Sequence, residues 1–125
     1  MIIGIGIDLV EVARIGRMVE RYGRRFVDRV YTAHEVQACR GRGAAAQEFA
    51  ARWAAKEALM KAVGTGWRGG VLFRDIENYN LPSGKPMIRL HGRVKKLAQR
   101  LGGRRIHVSI SHEREYAVAV VILEG

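Results

Sequence analysis

The sequence is poor in several things that would each have fixed a class. It has one cysteine, Cys39, so an internal disulfide and any zinc site built from several thiolates are excluded. A lone thiol also fits a reducing compartment. It has two prolines among fifteen glycines and shows no short period, which excludes collagen-like and low-complexity chains. Aromatic residues are only 7%, with no aromatic-rich strand motif and no helix-turn-helix signature. No apolar run approaches the ~18 to 20 residues that span a bilayer. The first residues, Met1-Ile2-Ile3-Gly4, carry neither a charged start nor a small-residue cleavage site, so no secretory signal is expected and the chain reads as cytoplasmic. Acids are scarce: 12 Asp and Glu stand against 22 Lys and Arg, a net charge of +10.

What is present is enough for one domain. Of 125 residues, 48% are hydrophobic, so burial can offset chain entropy. No linker or repeat divides residues 1–125. The excess of positive charge attracts anions, whether nucleic acid, membrane, phosphorylated small molecules or an acidic protein.

Residues 2–7 alternate isoleucine and glycine and predict a buried strand whose glycines admit close approach of another element. Asp8 followed by Glu11 resembles a helix start, so a helix is expected over residues 9–22, with Val10, Ala13, Met18 and Tyr22 on one face. Arg14, Arg17, Arg21 and Arg24 recur at spacings of three and four as a basic stripe, and Gly23 suits the helix end. Residues 26–31 read as a connection. Thr32 and Glu35 form a capping box for a short helix to Arg40, broken by Gly41-Arg42-Gly43. Residues 45–63, rich in Ala, Glu, Lys and Arg, predict a long central helix ended by Gly64-Thr65-Gly66. A strand over 71–79, a turn over 81–86, a strand over 87–90 and a helix over 92–101 follow. Residues 106–111 and 116–123, joined by four residues, close the chain as a hairpin. The expected class is α+β: a mostly antiparallel sheet packed on a long central helix and shorter helices.

Four groups can carry chemistry. Asp8 is either an N-cap or a carboxylate for a hard cation such as Mg²⁺, which prefers oxygen ligands and recruits substrate phosphates. Helical spacing puts Trp53, Glu57 and Lys61 on one stripe, either as a solvated Glu–Lys pair or as a metal and phosphate site. Arg52 and Lys56, on a neighbouring stripe, are surface charge or further phosphate contacts. Gly64-Thr65-Gly66 is a helix C-cap or a phosphate turn; as a phosphate turn it needs Lys61 or Arg68 nearby, because the helix dipole there disfavours anions. Ser109-Ile110-Ser111-His112 ends a strand, and His112 can contact a phosphate or move a proton. Neither serine sits in a nucleophile elbow. His34 and His91 stand at a helix start and in a loop, and Cys39 reads as packed.

Gly4-Ile5-Gly6-Ile7-Asp8, then Phe49 through Lys61, then Ser109-Ile110-Ser111-His112 together resemble one family. It is that of the holo-acyl-carrier-protein synthases, the small bacterial class of phosphopantetheinyl transferases. The resemblance spans nearly the whole chain and departs at Ala54, where the family often carries Ser or Thr. It implies transfer of the 4′-phosphopantetheine arm of coenzyme A to a serine of apo acyl carrier protein, with release of adenosine 3′,5′-bisphosphate. It further implies Mg²⁺ held by Asp8 and Glu57, and a homotrimer with sites between subunits. On that basis Lys61 adds charge at the phosphates, and Arg52, His112 and the Gly64–Gly66 turn hold the nucleotide end. Two candidates for the base remain, Glu57 and a water held at the metal. Arg14, which matches a family position for carrier contact, would meet an acidic carrier together with Arg17, Arg21 and Arg24. The competing class is a basic nucleic-acid-binding domain, which the charge alone permits.

Overall fold

The structure is a computed structural model that describes residues 1–41, 43–66 and 68–125, with the Arg68 side chain left out. Arg42 of the expected helix break therefore lies outside the described residues, as does the side chain of Arg68, a candidate phosphate cation. Elements run β1 (Ile2–Glu11), α1 (Val12–Tyr22), α2 (Arg24–Val30), α3 (Ala33–Arg40), α4 (Ala45–Val63), β2 (Ile76–Asn80), β3 (Pro86–Leu90), α5 (Gly92–Arg100), β4 (Arg105–His112) and β5 (Tyr116–Glu124). One antiparallel sheet has the order β1-β5-β4, and β2-β3 form a second, two-stranded one. The expected α+β class and the closing hairpin stand.

The long helix α4 occupies the 45–63 span read from composition, and Gly64 closes it in the left-handed region at φ 90°. It is buried almost all round, from Phe49 through Ala62, with alanine on several sides. Small side chains let β1 lie directly on it. A Cβ on Gly6 would sit 1.8 Å from the Ala58 carbonyl oxygen, and one on Gly4 1.9 Å from that of Ala62. Only glycine fits at either crossing point. The other face of β1 carries Ile5, Ile7 and Leu9, all more than half exposed.

Three expectations are corrected. Asp8 does not cap α1. β1 runs on to Glu11, because its ladder with β5 continues through Asp8 opposite Ala119 to Glu11 opposite Tyr116. Val10 is thus a buried strand residue, and α1 packs through Val12 and Ile15 rather than Ala13 and Tyr22, which are exposed. Residues 26–31 are not a mere connection: Phe26, Val27 and Val30 bury one face of α2. The strand expected over 71–79 starts only at Ile76, after a three-residue 3₁₀ turn, Phe73–Asp75. The capping box does form, with Glu35 N–H donating to the Thr32 hydroxyl at 3.2 Å and Thr32 N–H to the Glu35 carboxylate at 2.9 Å.

Candidate active site

Two clusters arise from opposite sides of α4. The first forms where β1 crosses it. Gly4, Gly6 and Asp8 share one face of β1 by strand alternation, so the contacts that seat Gly6 on Ala58 turn Asp8 toward the same helix. Lys61, one turn past Glu57, reaches back to β1. Its ammonium donates to the Ile7 carbonyl at 2.9 Å and meets Asp8 Oδ1 at 3.4 Å. Glu57, beside Ala58 on the same turn, is half-buried. Burial pushes the Asp8 carboxyl above its ordinary value, and Lys61 with the more distant Arg14 offsets this only in part. The carboxylate therefore sits where a further cation would be welcome. Among the described residues no group of three or more His, Cys, Asp or Glu could hold a metal. Two carboxylates suit a hard ion that completes its shell with water and phosphate oxygens. Behind Lys61, Gly64 donates its N–H to the Met60 carbonyl, so the C-cap reading holds there. The Thr65 hydroxyl meets the Gly66 carbonyl at 3.3 Å.

The second cluster surrounds a cavity of about 190 Å³ between the start of α4, β2, the turn before β3, and β4. Arg52 and His112, which no sequence spacing links, both line it, with Asn78, Tyr79, Gly84 and Pro86. Arg52 is buried, its guanidinium anchored to the Glu48 carbonyl at 3.2 Å and carboxylate at 3.4 Å. Both bonds come from Nη1; Nε is buried without a hydrogen bond, as is Asn78 Oδ1. Beyond a turn at 81–86, no local signal points to the Asn78-to-Pro86 wall, because nothing local says that this turn folds back onto α4. Arg52 and Lys61 are nine positions apart on one helix. That is roughly 13.5 Å along the axis and half a turn around it, so one copy of the chain does not present both to one point.

The other candidates divide. Arg14, Arg17 and Arg21 are exposed along α1, whereas Arg24 opens α2 and meets Asp28 at 3.7 Å on the surface. Trp53 is core: it stacks between Phe26 (5.9 Å) and Phe73 (4.7 Å), with the Arg14 guanidinium 5.9 Å over its ring. Beside it runs an apolar groove of about 400 Å³ bounded by Met18, Tyr22, Arg25 and Arg29. Lys56 is neither surface charge nor a phosphate contact. It is fully buried, ion-paired to Glu35 at 2.8 Å. Cys39 is packed as expected, and His91, at the start of α5, meets Glu77 at 3.1 Å.

Comparisons with known proteins agree with this fold. A holo-[acyl-carrier-protein] synthase of Koribacter versatilis is 53% identical over 124 residues, 99% of each chain. The crystal structure of holo-[acyl-carrier-protein] synthase from Neisseria meningitidis superposes with a TM-score of 0.91 at 38% identity, covering all of both chains. That of the Helicobacter pylori protein, a complex with coenzyme A, gives 0.85 at 32% identity over 96% of this chain and 99% of its own. None of this supports the nucleic-acid alternative. No helix among the described residues is long and apolar enough to cross a membrane. With the pattern of the 4′-phosphopantetheinyl transferase superfamily matching residues 4–121, from the glycines seated on α4 to the inward-facing Val121 of β5, the chain belongs to that family.

Proposed function

We infer that the protein is a holo-acyl-carrier-protein synthase. It transfers 4′-phosphopantetheine from coenzyme A to a serine hydroxyl of apo acyl carrier protein and releases adenosine 3′,5′-bisphosphate, as a step serving fatty acid biosynthesis in the cytoplasm. The whole chain, 1–125, is one transferase domain. The observation that carries this reading is the meeting of Asp8 with Lys61 beside Glu57, from elements 53 residues apart in sequence.

In the transfer, a bond forms from the carrier's serine oxygen to the phosphorus bearing the pantetheine arm. The bond from that phosphorus to the bridging oxygen breaks, its electron pair leaves with the adenosine bisphosphate, and the serine proton passes to a general base, for which Glu57 is the candidate on this chain. The attacking group belongs to the carrier, which is why no serine of this chain needs activation. Asp8 and Glu57 would hold Mg²⁺, and their all-oxygen donor set fits that ion, as does a partly buried Asp8 carboxyl whose burial Lys61 and Arg14 only partly offset. When bound, Mg²⁺ supplies charge neutralisation at the diphosphate. Lys61, held at the site by Ile7 and Asp8 and half exposed, turns its ammonium to the phosphate oxygens as charge builds on the leaving group. The turn Gly64-Thr65-Gly66 flanks these phosphates.

Arg52 and His112 hold the nucleotide end in the second cavity, with the Arg52 guanidinium as the cation. Because that cavity and Lys61 face opposite sides of α4, one coenzyme A molecule spans both when two copies of the chain lie side by side. The open sheet face suits that assembly. Ile5, Ile7 and Leu9 stand exposed and, by register, beside Ile122, Val120 and Val118. This face closes a homotrimer with sites between subunits. Arg14, Arg17, Arg21 and Arg24 then remain outward for the acidic carrier, next to the groove at Met18 and Tyr22.

The test mixes the protein with coenzyme A, Mg²⁺ and an apo carrier, and weighs the carrier by mass spectrometry. Gain of one phosphopantetheine per carrier, stopped by chelation and restored by Mg²⁺, is expected. An unmodified carrier overturns the reading.

A further inference from the structure

We propose that the buried Lys56–Glu35 pair is a positioning device that holds Glu57 of α4 and Asn78 of β2 in fixed relation for the transfer step. This rests on the reading of the site given above and adds to it two residues that touch neither substrate.

The ammonium of Lys56 has three protons, and each has a partner from a different place. One goes to Glu35 Oε1 of α3 at 2.8 Å, one to the Phe73 carbonyl of the 3₁₀ turn at 2.9 Å, and one to the Ile76 carbonyl at the start of β2. Glu35, also fully buried, is just as completely used. Its Oε1 accepts from Lys56 and the Thr32 N–H, and its Oε2 from both the backbone N–H and the side-chain amide of Asn78, each at 2.9 Å. No proton of the ammonium and neither oxygen of the carboxylate is left over.

Cohesion alone does not call for such a pair, since well-packed apolar residues of similar volume often serve a core equally well or better. The placement points to a different role. Lys56 is the neighbour of Glu57, and successive residues on a helix are separated by a fixed angle of about 100°. Three anchors outside α4 fix the azimuth of Lys56, and with it the azimuth at which Glu57 leaves the helix. At the other end of the pair, Asn78 lines the cavity that holds Arg52 and His112. Its amide is oriented by charge: the NH₂ must face the Glu35 carboxylate, because the reversed amide would set oxygen against oxygen. One ion pair thus ties the phosphate side of α4 to the nucleotide wall across the core. Lysine suits this role because its compact tetrahedral ammonium directs three donors out of any one plane, whereas the donors of arginine all lie in the plane of its guanidinium.

The test uses the full chain carrying Glu35→Gln with Lys56→Met, and separately Glu35→Asp, which keeps both charges but shortens the carboxylate arm. Urea unfolding measures stability, and kcat and KM for coenzyme A and for the carrier are measured on folded protein. We expect kcat to fall roughly 10- to 100-fold and KM for coenzyme A to rise, as for a small displacement of reacting groups, while KM for the carrier stays at the parental value. If the double variant does not fold, the Glu35→Asp variant decides by the same readouts. Variants that fold and keep parental kcat and KM for coenzyme A overturn the inference, leaving the pair a matter of cohesion. A parent protein that modifies no carrier overturns the reading of the site and this inference with it. An active parent with equally active variants overturns this inference alone.

Discussion

Two lysines five positions apart on α4 each meet a carboxylate from a distant element, and they live in opposite conditions. Lys56 and Glu35 are 2.8 Å apart with both side chains wholly buried. Lys61 and Asp8 are 3.4 Å apart, with Lys61 half exposed and Asp8 partly so. The first pair is saturated with hydrogen bonds. Burial pulls the Lys56 ammonium below its ordinary value, and Glu35 offsets this only in part. The second pair is loose, and an exposed ion pair holds its geometry by little more than thermal energy. A loose pair can be reopened by a substrate phosphate; a buried one cannot, because separating it strands a charge without water. On the proposed reading the weak pair serves the chemistry and the strong one holds the frame.

The largest effects should come from Asp8 of the open pair and from Glu57, one turn before Lys61. Asp8→Ala or Glu57→Ala should lower turnover by about 1,000-fold or more, with the urea unfolding midpoint retained; near-parental turnover removes that residue from the mechanism. The two lysines can be compared directly on stability. Lys56→Met alone should cost about 3–5 kcal/mol because Glu35 stays buried and unpaired. Lys61→Met should cost under ~1 kcal/mol yet lose transfer. Equal losses in urea unfolding would erase the contrast. Gly6→Ala attacks the crossing that brings Asp8 to Lys61. Its Cβ would lie 1.8 Å from the Ala58 carbonyl, so a loss of about 1–3 kcal/mol or more is expected by the same measurement. Away from both pairs, Arg14→Glu should weaken carrier binding roughly 10-fold at low salt and leave coenzyme A binding unchanged; calorimetry reads both.

The smallest effect concerns the rim of the buried cluster. Partial burial pushes the Glu77 carboxyl up, but the Thr32 hydroxyl, His91 and Arg89 outweigh it and hold it below its ordinary value. An acid with a depressed folded value adds stability above its unfolded value, and that stability is lost as pH falls through the folded one. Stability should therefore drop as pH falls below the ordinary glutamate value of 4.5, and Glu77→Gln should flatten part of that drop in urea titrations.

The limits of sequence reading are clearest along α4. Its ends were legible because composition and Gly64 are local signals. Which of its charges would be buried was not. A helix with alanine on nearly every face carries no apolar stripe, so Arg52, Lys56 and Lys61 look alike until neighbours are placed. The capping box at Thr32 and Glu35 was legible for the same local reason, but the second use of Glu35, as partner of Lys56 and Asn78, depends on contacts 21 and 43 residues away. What favours Asp8 as a metal carboxylate over a helix cap in the sequence is its company in a family pattern. Locally it resembled a cap, and the ladder between β1 and β5 decided that it lies within a strand.

By itself the sequence determined the α+β class, the span of the central helix, the two glycines that admit a strand against it, and the set of charged residues from which a phosphate-handling site can be made. Tertiary structure decided which of those charges face water and which face one another. Helical and strand periods are set by a few neighbouring bonds, whereas burial and partnership are set by the packing of elements that only the complete fold brings together.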